Sequence, residues 1–210
     1  MRRILVFATA SLAVAFVFCS TSVTGASNFV RVSLPQGVSL EIPKNWTIYS
    51  GNERMLVDTW LEAKGFAQVD SRAGFIAELY NDNNQRLGAL HLRYFPDAPY
   101  TQAQVRTFSA TDIAALDRAT RESLENASRA MNTKILSWEA ARIKTINGIA
   151  ALVMGYSRLT PTFGEGAFRV RLVRVYAGPR SYTLTISYLE NSALLMTPIT
   201  DYIIASLRQD

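Results

Sequence analysis

The chain has one cysteine, Cys19, and one histidine, His91. Cys19 falls in a segment that reads as removed on export, which leaves the rest with no thiol and a single imidazole. Cysteine nucleophiles, disulfides, zinc fingers and His-pair metal sites are thereby excluded, and no cofactor or metal is expected. Long apolar runs are scarce too. The one present, Ile4 to Phe18, is shorter than the about 20 residues of a transmembrane helix. Charge excess is small: 22 Lys and Arg against 17 Asp and Glu give +5, and two of those charges are Arg2 and Arg3. That is too little to imply nucleic acid as a partner.

What the N-terminus does contain is the order of a secretory signal peptide over residues 1–26. Arg2 and Arg3 supply the positive start, Ile4 to Phe18 the apolar stretch, and Ser20 to Ala26 a small-residue tract. Thr24 and Ala26 suit the small pockets of a signal peptidase, which places the cut near Ala26. Phe18 before Cys19 is too bulky for lipoprotein processing. The expected address is the bacterial periplasm or the medium, with no stable membrane span in the mature form. Residues 27–210 carry no repeat, low-complexity tract or long linker and read as one domain.

Phe29 to Leu34 and Val38 to Ile42 alternate as a hairpin, followed by a short strand at Trp46 to Tyr49. Ser50 and Glu53 form a capping box. It opens a helix whose expected inner face is Met55, Leu56, Thr59, Trp60 and Ala63, stopped by Gly65. Strands follow at 73–80 and 86–95 around the turn cluster Asn81 to Asn84. Ser109 to Met131 reads as the main helix, with Ile113, Leu116, Thr120, Leu124, Ala127 and Met131 inward. Asp117, Arg118, Arg121, Glu122 and Glu125 form a solvated outer face, paired as Asp117–Arg121 and Arg118–Glu122. Asn147-Gly148 joins strands 137–145 and 150–158; Gly178 to Arg180 joins 167–176 and 181–189. A last helix has the stripe Leu195, Ile199, Ile203 and Leu207, with Pro198 expected in its first turn. The sum is an α+β fold: an antiparallel β-sheet with helices packed on it.

Two segments resemble the PsbP-like superfamily. Val38-Ser-Leu-Glu-Ile-Pro-Lys-Asn-Trp46 is similar to its opening strand and P-x-x-W turn. Arg180 to Tyr188, followed by a helix closing in Ile203-Ile-Ala-Ser-Leu207, is similar to its last strand and helix. The resemblance implies an α/β/α sandwich. It implies no shared activity: members include extrinsic subunits of photosystem II, a Ran-binding protein and bacterial envelope proteins, none of them a conventional enzyme. The matching positions are core and turn residues, so no functional residue carries over.

Candidate chemistry rests on few groups. His91 is the sole imidazole, and Glu78 on the neighbouring strand approaches it across the hairpin. Arg169 and Arg171 share a strand face. With His91, Arg93 and Arg142 they define a candidate positive sheet surface for a carboxylate or phosphate. Gly164-Glu-Gly166 leads into a strand rather than a helix, so it is a loop and not a phosphate cradle. No carboxylate pair stands out for glycoside or metal chemistry, and no catalytic residue is assigned. The expectation is a non-enzymatic, exported binding or accessory protein of the cell envelope, with a protein or envelope component as partner. The alternative is a receptor for a small anion, or an enzyme, using His91, Glu78 and the sheet arginines.

Overall fold

A computed structural model describes residues 28–34, 37–63, 72–159 and 166–209. The proposed signal peptide, the turn at 35–36, Gly65 and the loop at 160–165 lie outside the described residues.

Two antiparallel sheets form. The larger joins β3 (Thr47–Ile48), β4 (Arg72–Tyr80), β5 (Arg86–Phe95), β9 (Arg180–Leu189), β8 (Ala167–Ala177), β7 (Ile149–Leu159) and β6 (Lys134–Ile146) in that spatial order. The smaller joins β1 (Phe29–Leu34), β2 (Val38–Pro43) and β10 (Arg208–Gln209), with β2 in the middle. Both hairpins anticipated at Asn147-Gly148 and Gly178 to Arg180 are present. Asn147 and Gly148 both hold positive φ (46° and 79°), as a tight two-residue turn requires.

Alternation divides the large sheet into two faces. One presents Leu90, Leu92, Leu184, Ile186 and Tyr188, and the small sheet and α4 (Ala193–Ala205) close over it. Leu40, Ile42, Met196 and Ile203 complete this main core. Helices α1 (Gly51–Ala63), α2 (Gln102–Arg106) and α3 (Ala110–Ala130) contact β4, β7 and β8, and β6 respectively. A second, smaller core of Val105, Ala150 and Tyr176 sits there with Tyr100, Phe108 and Ile143. The α+β architecture is therefore the one expected.

Several local expectations change. The α1 capping box forms, with Ser50 N donating to Glu53 at 2.6 Å, but Met55 (60% exposed) and Leu56 (66%) face outward. Arg54 and Asp58 instead tie α1 down, to the Tyr49 carbonyl and to Arg93. The α3 stripe holds, yet Asp117 leaves the solvated face. Its carboxylate accepts from Trp138 Nε1 (3.1 Å) and from the Ala141 amide (2.7 Å), where β6 bulges between Glu139 and Arg142. The helix's outer ion pair is Arg121–Glu125. In α4 the inward residues are Met196, Thr200, Ile203 and Ile204, so Leu195 is off the buried stripe, and Pro198 lies inside the helix. Helix α2, unanticipated, is capped by Thr101 and Gln104. Its Gln102 amide reaches the main chain of both Ala150 and Tyr176.

Candidate functional site

The turn after β4 fixes the polar cluster. Asn81 Oδ1 accepts from the amides of Asn83 (3.0 Å) and Gln85 (2.9 Å). This sets Tyr80 opposite Arg86. Alternation puts Glu78, Tyr80 and His91 on the α1 and α3 side of the sheet, and the register shift between Leu79 and Tyr80 turns Arg86 to the same side, onto Glu78.

Glu78 is only 4% exposed. Its Oε2 accepts from the Tyr49 hydroxyl at 2.6 Å and from the Tyr80 hydroxyl, while Arg86 bonds Oε1 at 3.1 Å. Burial works to raise the carboxyl's pKa, but the hydrogen bonds from Tyr49, Tyr80 and Arg86 overcome it and hold the group below its ordinary value. Burial, reinforced by Glu78, drives the Tyr49 phenol far above its usual range. The carboxylate is thus stably charged and saturated with donors.

His91 pairs across the strands with Ile76 and Thr185 and is half-buried. Burial pushes its pKa down to about 4. Glu78 opposes that shift, and Arg86, Arg158 and Arg93 add to it. The imidazole is therefore neutral at physiological pH. Arg158 belongs to the same neighbourhood, with its Nε buried and unbonded. Arg86 also lies 5.7 Å from the Phe168 ring centroid, a cation–π distance.

The five residues proposed from sequence do not form one surface. His91 and Arg93 are on the side of α1 and α3; Arg142, Arg169 and Arg171 are on the other. Arg93 pairs with Asp58 at 2.9 Å, Arg169 with Glu190 at 3.2 Å and Arg171 with Glu139 at 2.6 Å. Arg142 is exposed on edge strand β6. The assumption that failed was adjacency, since strand order was unknown from sequence. Glu78 and His91 share a sheet face, and the Glu78 charge acts on the imidazole. Tyr49, Tyr80, Arg86 and Arg158 were missed. The Asn-rich turn held the signal for Tyr80 and Arg86; nothing local placed Arg158 beside them.

A shallow depression elsewhere is lined by Asn147, Gly148, Ile149, Arg208 and Gln209, none of the residues above. Among the described residues, no three His, Cys, Asp or Glu converge as metal ligands. Among them too, no helix is long and apolar enough to cross a membrane.

The layered sheet, its closing helix and the small N-terminal hairpin define an α+β sandwich of the PsbP-like type. The solution structure of cyanobacterial PsbP from Synechocystis sp. PCC 6803 matches it with a TM-score of 0.57 at 13% identity, covering 92% of this chain and 99% of that one. Two further solved structures match more loosely. LpqN of Mycobacterium tuberculosis, described as involved in cell envelope biogenesis, gives a TM-score of 0.44 at 12% identity over 85% of this chain and 88% of its own. A Pseudomonas aeruginosa protein of unknown function gives 0.42 at 17% identity over 87% and 98%. No family model and no curated protein matches the chain.

Proposed function

We propose that the protein is an exported accessory protein of the cell envelope that acts by binding a protein or envelope component, not by catalysis. The observation that carries the reading is the state of the Glu78–His91 pair. Both oxygens of Glu78 are engaged by Tyr49, Tyr80 or Arg86, and among the described residues no carboxylate is bonded to His91 as an orienting partner. A general base needs a free, positioned group near its reactive pKa; Glu78 is instead taken up by its three donors. Residues 1–26 serve as the export signal, and 27–210 are the working domain. The architecture shared with cyanobacterial PsbP is compatible with a non-enzymatic role. Capture of the processed protein from cells crosslinked intact, with identification of what is bound, tests the reading. A reproducible envelope component supports it; an empty capture from abundant folded protein contradicts it.

A second reading has one observation in its favour: the positive charges of Arg86, Arg93 and Arg158 act on the neutral imidazole of His91. That setting suits a small anion. Saturable displacement of the His91 ring resonances by inorganic phosphate or acetate would favour it, and unmoved resonances would eliminate it.

A further inference from the structure

One end of the large sheet combines protruding leucines with cations that have no ion pair among the described residues. Leu194 is 97% exposed and Leu195 58% exposed, at the start of α4. The strand register runs Tyr80–Arg86, Leu189–Phe168 and Arg158–Ile135 across this end, so the β6 start, with exposed Leu136, lies level with the β9 end that leads into α4. Met196, one turn into α4, and Trp46 both border Gly88, which brings exposed Lys44 to the same end. Among the described residues this end carries Lys44, Arg129, Lys134 and Arg158 against Asp82, while Arg169 and Glu190 pair with each other.

Among the described residues nothing packs beside Leu194, and Leu194 with Leu195 places two large apolar side chains in water at the helix start. A side chain standing clear on all sides fits a soft surface that closes around it better than a rigid one that needs complementary walls. Cations beside it favour an anionic surface. We propose that this end is a membrane-docking surface that inserts Leu194 and Leu195 among the headgroups of an anionic bilayer, with Lys44 and Lys134 against lipid phosphates. The proposal rests on the reading of an exported envelope protein. Vesicle binding by purified protein is nevertheless read independently of whether capture finds an envelope component, so either can fail without the other.

The test is co-sedimentation of purified protein with phosphatidylglycerol-containing vesicles and with pure phosphatidylcholine vesicles, for the parent, for Leu194→Ser with Leu195→Ser, and for Lys44→Glu with Lys134→Glu. Any contribution from residues 1–26 is common to all three proteins, so the differences report α4 and its neighbours. All four positions are exposed, and far-ultraviolet circular dichroism with a melt confirms that the variants fold. The proposal expects the parent to prefer the anionic vesicles. It expects the leucine variant to lose roughly tenfold in binding, and the lysine variant to lose several-fold with a weaker dependence on salt. Equal binding by parent and leucine variant overturns the proposal. So does no vesicle binding by the parent, or loss by the leucine variant of a captured protein partner with vesicle binding unchanged.

Discussion

The Tyr49 hydroxyl donates a 2.6 Å hydrogen bond to Glu78 Oε2, joining the segment before α1 to the second strand of the large sheet. Tyr80 shares that oxygen and Arg86 holds the other. A carboxylate that is nearly inaccessible to water is tolerable only with such partners. The cluster therefore reads first as structure: it fastens β3 and the entry to α1 onto β4.

Removing the carboxylate should show this directly. Glu78→Ala removes the carboxylate that Arg86 pairs with and that accepts from two phenols, and is expected to lower unfolding stability by about 2–4 kcal/mol. Glu78→Gln keeps the shape and one acceptor, and should cost less. Urea denaturation measures both; a Glu78→Ala protein as stable as the parent refutes the structural role.

Stability should fall with acid, in two overlapping steps. The folded-state pKa of Glu78 is depressed, so its contribution is present above the unfolded value and is lost as pH falls through the folded one. His91 is depressed from 6.5 to about 4. Between those values the unfolded chain takes up a proton that the folded chain does not, so stability drops as pH falls through that window. The loss attributable to His91 is on the order of 3 kcal/mol. His91→Gln should flatten the curve between those pH values and leave the steeper acid limb. An unchanged profile would show that the imidazole is not held neutral by the fold.

Gln102 occupies a place where strand pairing would otherwise continue. Its Nε2 donates to the carbonyls of Ala150 (3.1 Å) and Tyr176 (2.6 Å), and its Oε1 accepts from the Ala150 amide at 2.8 Å. Gln102→Ala is expected to cost about 2 kcal/mol. It should also speed amide exchange at Ala150, which a merely exposed glutamine would not affect.

Asp117 anchors α3 to the β6 bulge through Trp138 and the Ala141 amide. Asp117→Ala should destabilise by about 1–3 kcal/mol and alter Trp138 fluorescence. A silent substitution would return Asp117 to the solvated face first expected of it.

These residues show where sequence reading succeeds and where it stops. Local rules located nearly every strand, the Asn147-Gly148 turn and the cap at Ser50, because each depends on neighbours a few positions away. They did not locate α2, only five residues long, or β10, which exists by pairing with β2. Periodicity on α1 and α4 marked Met55, Leu56 and Leu195 as inward, but helix rotation is set by what the helix meets: Asp58 by Arg93, and Met196 by the space over Gly88. The arginines failed for a similar reason. Alternation correctly put Arg169 and Arg171 on one face, but only the register through β9 and β5 shows that Arg93 is on the other.

The most direct measurement is crosslinking in intact cells followed by capture, carried out in parallel with the parent protein and His91→Gln. The account predicts that both retain the same envelope component, since the proposed function gives half-buried His91 no part in binding. A parent protein that captures nothing, or a folded His91→Gln protein that loses the component its parent holds, would contradict it.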